Sequence, residues 1–269
     1  MRSEQHAARE RSVRTRKSLG QHMLASDVVA ERIVSEAGLR PTDNVLEIGT
    51  GTAVLTKFLA KRARYVKTYE IDRSLFEIAR SRLASFENVD LVRGDAFTAE
   101  PAPEFDLCVT SLPYSQSLRF LKWAALNSAT IHKFLAVVQL EFADKLSAEV
   151  GSKSYRAASV IAQISFDIER LLLISSREFV PQPKVMSQLI RLNPILLHGA
   201  AFFNRRRLEI LTSLFSNRKK TLASALKKIV SKKETLLFDA SLLRKRVESF
   251  SPSQFASIIE LLESIYHEQ

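Results

Sequence analysis

Cysteine is nearly missing from this chain: Cys108 stands alone. One cysteine excludes an internal disulfide and fits a reducing compartment, so a cytoplasmic location is expected. With five scattered histidines, it also leaves no cluster spaced to ligate a metal. No run of about 18 apolar residues occurs, which excludes a transmembrane helix. The basic N-terminus, MRSEQHAARERSVRTRKSLG, lacks an apolar core and so is not a secretory signal. Glu4 and Glu10 count against a transit peptide.

Acidic residues are the other shortage. There are 29 Asp and Glu against 40 Lys and Arg, a formal charge of +11, which favours a polyanionic partner. The excess is uneven. Residues 2–17 carry six basic residues and two Glu, and residues 205–246 carry thirteen against Glu209, Glu234 and Asp239. Arg205, Arg206, Arg207, Arg218, Lys219, Lys220, Lys227 and Lys228 are candidate phosphate contacts. A lone basic cluster is usually a solvated helix face; several within one segment tilt the reading to nucleic acid.

A length of 269 residues suits one large domain or a large one with a small one. Residues 1–20 read as a basic segment that orders on binding. Ser26 caps a helix that runs to Ala37 and stops at Gly38. Strands and helices then alternate. Strands are expected at NVLEI (44–48), YVKTYE (65–70), VDLVR (89–93), LCVTSL (107–112) and KFLAVVQL (133–140). Helices are expected at 54–61, 73–83 and 117–126. IERLLLIS (168–175) and SQLIRLN (187–193) read as closing strands. This α/β alternation predicts a Rossmann-like parallel sheet covered on both faces, over residues 21–198. Residues 199–269 read as a small all-helical domain: from Phe202 there is no glycine, and no proline before Pro252.

Four strand ends carry the chemistry. In VLEIGTGTAVLT, Gly49 and Gly51 permit a tight turn and close approach of a ligand to the backbone. Val54 stands where a dinucleotide loop would need glycine, so NAD is disfavoured. Glu47, before the first glycine, points instead to an S-adenosylmethionine loop. Glu70 ends the second strand, where a carboxylate can accept both hydroxyls of a ribose; Asp72 competes for that role. Asp95 follows the third strand and can accept from an adenine amino group, while the Ala96 N–H can reach the ring. The fourth strand ends on Ser111-Leu112-Pro113-Tyr114. A polar residue, a rigid proline and a flat aromatic ring suit an enzyme that modifies an exocyclic amino group on a nucleobase. Read alone, those four residues are an ordinary turn. Their place in the ordered series is what raises them. FVPQPKVMS (179–187) supplies Phe179 as a candidate stacking face opposite Tyr114, or else as a core anchor for its loop.

Taken together, these stretches resemble the ribosomal RNA adenine dimethyltransferases of the KsgA family, with the Erm methyltransferases as close cousins. The matching segments are Gly20-Gln21-His22-Met23-Leu24, VLEIGTGTAVLT, YEID, GDA, SLPY, QLEFADKLSAEVGSKSY, FVPQPKVMS and NRKKTLASAL, spanning about Lys17 to Phe255. NRKKTLASAL favours the ribosome-assembly branch over Erm. The resemblance implies S-adenosylmethionine as cofactor and dimethylation of adenine N6 in small-subunit ribosomal RNA. It implies ribosomal RNA or a small-subunit precursor as partner, and a monomer. It places His22, Leu24, Gly49, Glu70, Asp95 and Ser111 in the cofactor pocket, with Gln21 in the same N-terminal signature; Gly51, Ile71 and Ala96 are further candidates for cofactor binding. This chain has Ser111 and Ser115 where the family usually has Asn, Met186 where it has an acid, and Ala53 for a frequent glycine.

Overall fold

The computed structural model describes residues 22–98, 105–196 and 200–267. The N-terminal segment 1–20, Gln21 and the expected domain junction at 198/199 lie outside the described residues.

Among the described residues a sheet of seven strands runs in the order β4-β3-β2-β5-β6-β9-β7. The strands are β2 (Asn44–Ile48), β3 (Tyr65–Glu70), β4 (Val89–Arg93), β5 (Leu107–Thr110), β6 (Phe134–Gln139), β7 (Phe166–Ile174) and β9 (Ser187–Pro194). β2 pairs in parallel with β3 and with β5, β3 with β4, and β5 with β6. The order therefore reverses between β2 and β5. In open α/β sheets, ligands bind at the carboxyl ends of strands beside such a switch. A second, two-stranded sheet pairs β1 (Met23–Leu24) antiparallel with β8 (Phe179–Val180).

The apolar pattern explains the strands. β5 and nearly all of β6 are buried along their length, as strands covered on both faces must be. β3 alternates buried and half-buried positions. Ser26 caps the Asp27–Ala37 helix by accepting from the Val29 N–H, and Gly38 ends it at φ 60°. Asp72 caps Arg73–Leu83 by accepting from Ser74 and Leu75.

Two expected strands were drawn too long. β5 stops at Thr110, whose hydroxyl donates to the Ile48 carbonyl at 2.8 Å, so Ser111 and Leu112 belong to the loop. β6 stops at Gln139, and Leu140–Leu146 is a helix. That helix and Ala157–Ser165 went unread in the sequence, because their apolar residues merge with those of neighbouring strands.

The chain divides into two compact units. One runs through Ser117 and includes Phe134–Leu140 and Arg170–Arg191. Its core holds Ile33, Val45, Leu59, Val66, Val109, Leu135 and Leu189. The other comprises Leu118–Lys133, Glu141–Glu169 and the chain from Leu192. Tyr155 anchors it: fully buried, it donates from its hydroxyl to the Phe250 carbonyl at 2.9 Å and meets the Phe215 ring edge-on. Burying that large ring contributes about 2 kcal/mol, and the hydrogen bond removes the desolvation cost of its hydroxyl.

Candidate active site

The loop after β2 is held from below. Gly49 and Thr50 both donate their N–H to the Tyr69 carbonyl, at 3.0 and 3.1 Å. Gly49 (φ 87°) and Gly51 (φ 56°) have positive φ, which glycine adopts at little steric cost. Ala53 also sits in the left-handed region, at φ 63°. Beneath the loop lies a closed network. The Glu47 carboxylate, 1% exposed, accepts from the Thr56 hydroxyl at 2.7 Å and the Thr68 hydroxyl at 2.6 Å. Thr50 bonds Thr68 at 2.6 Å. Burial raises the Glu47 carboxyl from 4.5 to about 7, against the opposing effect of the two hydroxyls. Glu47 therefore stands under the loop and contacts no ligand site directly.

Glu70 sits at the end of β3, 5% exposed. One carboxylate oxygen accepts from the Gly51 N–H and the other from the Asp72 N–H, each at 2.8 Å. A carboxylate has about four acceptor positions, so these amides leave capacity for a hydroxyl. Burial pushes this carboxyl above its ordinary value, while the amides of Asp72, Gly51 and Ile71 oppose the rise. Asp72 uses one carboxylate oxygen, Oδ1, to cap its helix. Ile71 is exposed at 68%, an apolar surface beside Glu70. The Asp95 carboxylate is oriented by the Phe97 N–H at 3.0 Å, and Ala96 is buried.

The loop after β5 lies across the switch point. Pro113 (φ −51°, ψ 136°) leads into a single 3-10 turn, Tyr114–Gln116. Its carbonyl accepts from the Gln116 N–H at 2.8 Å, so the Leu112 carbonyl and the Ser111 hydroxyl are the better candidates to meet an amino group. Tyr114 is half-buried, its ring 5.5 Å from that of His22. Its hydroxyl is 2.6 Å from Ser187 Oγ, and burial raises its pKa. His22 Nδ1 lies 2.7 Å from the Pro181 carbonyl, within the loop that opens with the cis Val180-Pro181 bond.

The structure corrects several sequence expectations. Phe179 is 2% exposed within the core and presents no face opposite Tyr114; it is the anchor of its loop. Leu24 is 6% exposed in the same core, so only its backbone can meet a ligand. Arg207 is engaged by Glu263 at 2.7 Å and by the Phe202 carbonyl, and its guanidinium lies over the Phe202 ring. Arg218 pairs with Glu248 at 3.0 Å. Both are structural rather than open phosphate contacts. Arg206 is 3.7 Å from Glu209. Arg205, Lys219, Lys220, Lys227 and Lys228 are exposed. Ser187 and the three threonines escaped the sequence reading, since a single hydroxyl carries no spacing signal.

Comparison with known proteins follows the same lines. The family described as ribosomal RNA adenine dimethylase matches residues 12–264. "Ribosomal RNA small subunit methyltransferase A" of Thermotoga neapolitana is 33% identical, covering 93% of this chain and 91% of its own. The "probable ribosomal RNA small subunit methyltransferase A" of Pyrococcus abyssi is 31% identical and covers 93% of each. Among solved structures, a dimethyladenosine transferase from Plasmodium falciparum superposes with a TM-score of 0.72 at 22% identity, covering 92% of this chain and 98% of that one. The 23S rRNA methyltransferase ErmE superposes at 0.62, with 30% identity and coverage of 90% and 99%. The chain belongs to the ribosomal RNA adenine dimethylase family.

Proposed function

We propose that this protein transfers methyl groups from S-adenosylmethionine to the N6 amino group of adenines in small-subunit ribosomal RNA, with two transfers to each base. The observation that carries the reading is the series of strand ends. A glycine loop, a ribose-type carboxylate, an Asp-Ala turn and Ser-Leu-Pro-Tyr follow β2, β3, β4 and β5, around the reversal in strand order.

The residues fit that cofactor. The glycine loop keeps its backbone open: a side chain on Gly51 would meet only Met23, at 4.0 Å. Glu70 would take the ribose hydroxyls, Ile71 the face of the adenine and Asp95 its amino group. When bound, the cofactor supplies an electrophilic methyl on sulfonium. An adenine N6 lone pair is delocalised into the ring and is a weak nucleophile. Acceptors at Ser111 Oγ and the Leu112 carbonyl would hold the amino hydrogens, two in the first transfer and one in the second, turning the lone pair out of conjugation and toward the methyl; the S–C bond breaks to leave the thioether, and the N6 cation, now acidic, releases a proton to water. Positioning of this kind accounts for much of the acceleration. The base must leave its stack, and the Tyr114 face would receive it. Ser111 is smaller than Asn, which leaves room for an amine that already carries one methyl.

Transfer of labelled methyl from S-adenosylmethionine to unmodified small subunits tests this, with the modified nucleotide located by mass spectrometry. Labelling of isolated large subunits instead would move the protein to the Erm side. Binding without transfer would leave it an assembly factor on an inherited scaffold.

A further inference from the structure

We propose that Ser187, the last residue of FVPQPKVMS and assigned no role by the sequence, is a positioning residue for Tyr114 and so sets the rate of methyl transfer without taking part in cofactor binding. The proposal rests on the adenine-methylating function above. Tyr114 offers its ring at the end of a loop, on a single turn of 3-10 helix. A ring so mounted can pivot about its side-chain bonds unless its far end is tied. The far end is tied here: Tyr114 Oη is 2.6 Å from Ser187 Oγ, and Ser187 is fully buried at the first position of β9. The preceding residue is anchored too, because the Met186 carbonyl accepts from the Leu140 N–H at 3.1 Å. Ser187 thus carries the rigidity of the sheet to the tip of the tyrosine.

The opposite side is closed by His22, 5.5 Å from the ring and held by the Pro181 carbonyl. Pro181 opens the loop that leads into Ser187, so that loop fixes the tyrosine hydroxyl through Ser187 and the neighbouring imidazole through Pro181. A base resting on Tyr114 would be aimed by this frame. A tilt of the ring moves the amino group away from the transferring methyl, and displacements of about 1 Å can cost about a hundredfold in rate. Gly49, Gly51, Glu70 and Asp95 lie at other strand ends and keep their geometry when the hydroxyl bond is lost.

The experiment compares native protein with Ser187→Ala, Tyr114→Phe and the double variant, on unmodified small subunits. Titration of S-adenosylhomocysteine and urea unfolding are run in parallel. Each single variant is expected to lose about tenfold in kcat with cofactor affinity within twofold of native, and the double variant to lose no more than either one. Independent, multiplying losses would overturn the proposal, because the two hydroxyls would then not act as a pair. So would a Ser187→Ala protein with native kcat, or one whose cofactor affinity falls in step with its rate. A native chain that transfers no methyl group would overturn the functional reading, and this inference with it.

Discussion

Leu112 packs directly on Gly49. A β-carbon added at Gly49 would lie 2.9 Å from Leu112 Cδ2, closer than β-carbons approach other atoms in real proteins. The contact joins the glycine loop after β2 to the target-base loop after β5. Gly49 also has φ 87°, which an L side chain rarely adopts. Gly49→Ala therefore combines a backbone penalty of about 1–2 kcal/mol with a displaced leucine. We expect S-adenosylhomocysteine to bind at least about tenfold more weakly, read by calorimetry. Adding Leu112→Ala should recover part of the stability but not the strain. Native affinity in Gly49→Ala would mean that this loop does not cradle the cofactor.

The buried Glu47 gives a dependence on pH. Its folded carboxyl titrates at about 7 against an ordinary 4.5, because burial disfavours the charge. The folded chain thus holds this proton more tightly than the unfolded chain. The contribution to stability is full below about pH 4.5 and is lost as pH rises through about 7. The loss is on the order of 3 kcal/mol. Glu47→Gln keeps the shape and removes the charge. Its urea midpoint should fall less than the native one between pH 5 and pH 8. Equal shifts would show that Glu47 ionises freely.

Ala53 tests a balance between two small terms. Its left-handed backbone costs about 1 kcal/mol that glycine would relieve. Its methyl is fully buried beside Ala79 and Leu83, and removing it forfeits about 0.8 kcal/mol. Ala53→Gly should leave the melting temperature nearly unchanged. Ala53→Val, with a branched side chain in the same conformation, should lower it by several degrees.

The basic residues of the second unit divide by role. Lys219, Lys220, Lys227 and Lys228 are exposed. Replacing all four with alanine should reduce the slope of log affinity for ribosomal RNA against log salt by roughly 3 and leave unfolding unchanged. Arg207→Ala removes the ion pair to Glu263 and the bond to the Phe202 carbonyl. It should cost about 1–3 kcal/mol of stability and change the salt slope little. A quadruple variant with the native slope would place the RNA on another face.

Much of this molecule was legible without coordinates, because local chemistry decided it. β2, β3 and β4 were bounded to the residue, and so was the Ser26-capped helix. Short apolar runs between turn residues, a capping hydroxyl and a glycine at positive φ are effects of near neighbours in the chain. The positions of the glycine loop, Glu70, Asp95 and Ser111–Tyr114 were legible for the same reason: each lies at the end of a strand or just past it.

The tertiary structure decided what distant segments share. Phe179 looked like a stacking face by its motif, but it lies buried in the core, paired with Leu24 where β1 meets β8. Arg207 looked like its neighbours until Glu263, 56 residues away, claimed it. Ser187 gained its partner across 73 residues. Sequence by itself determined the fold class, the family and the order of the strand-end motifs. Which hydroxyl braces the tyrosine, which arginine is structural and which aromatic is buried all depend on contacts that exist only once the sheet has brought far parts of the chain together.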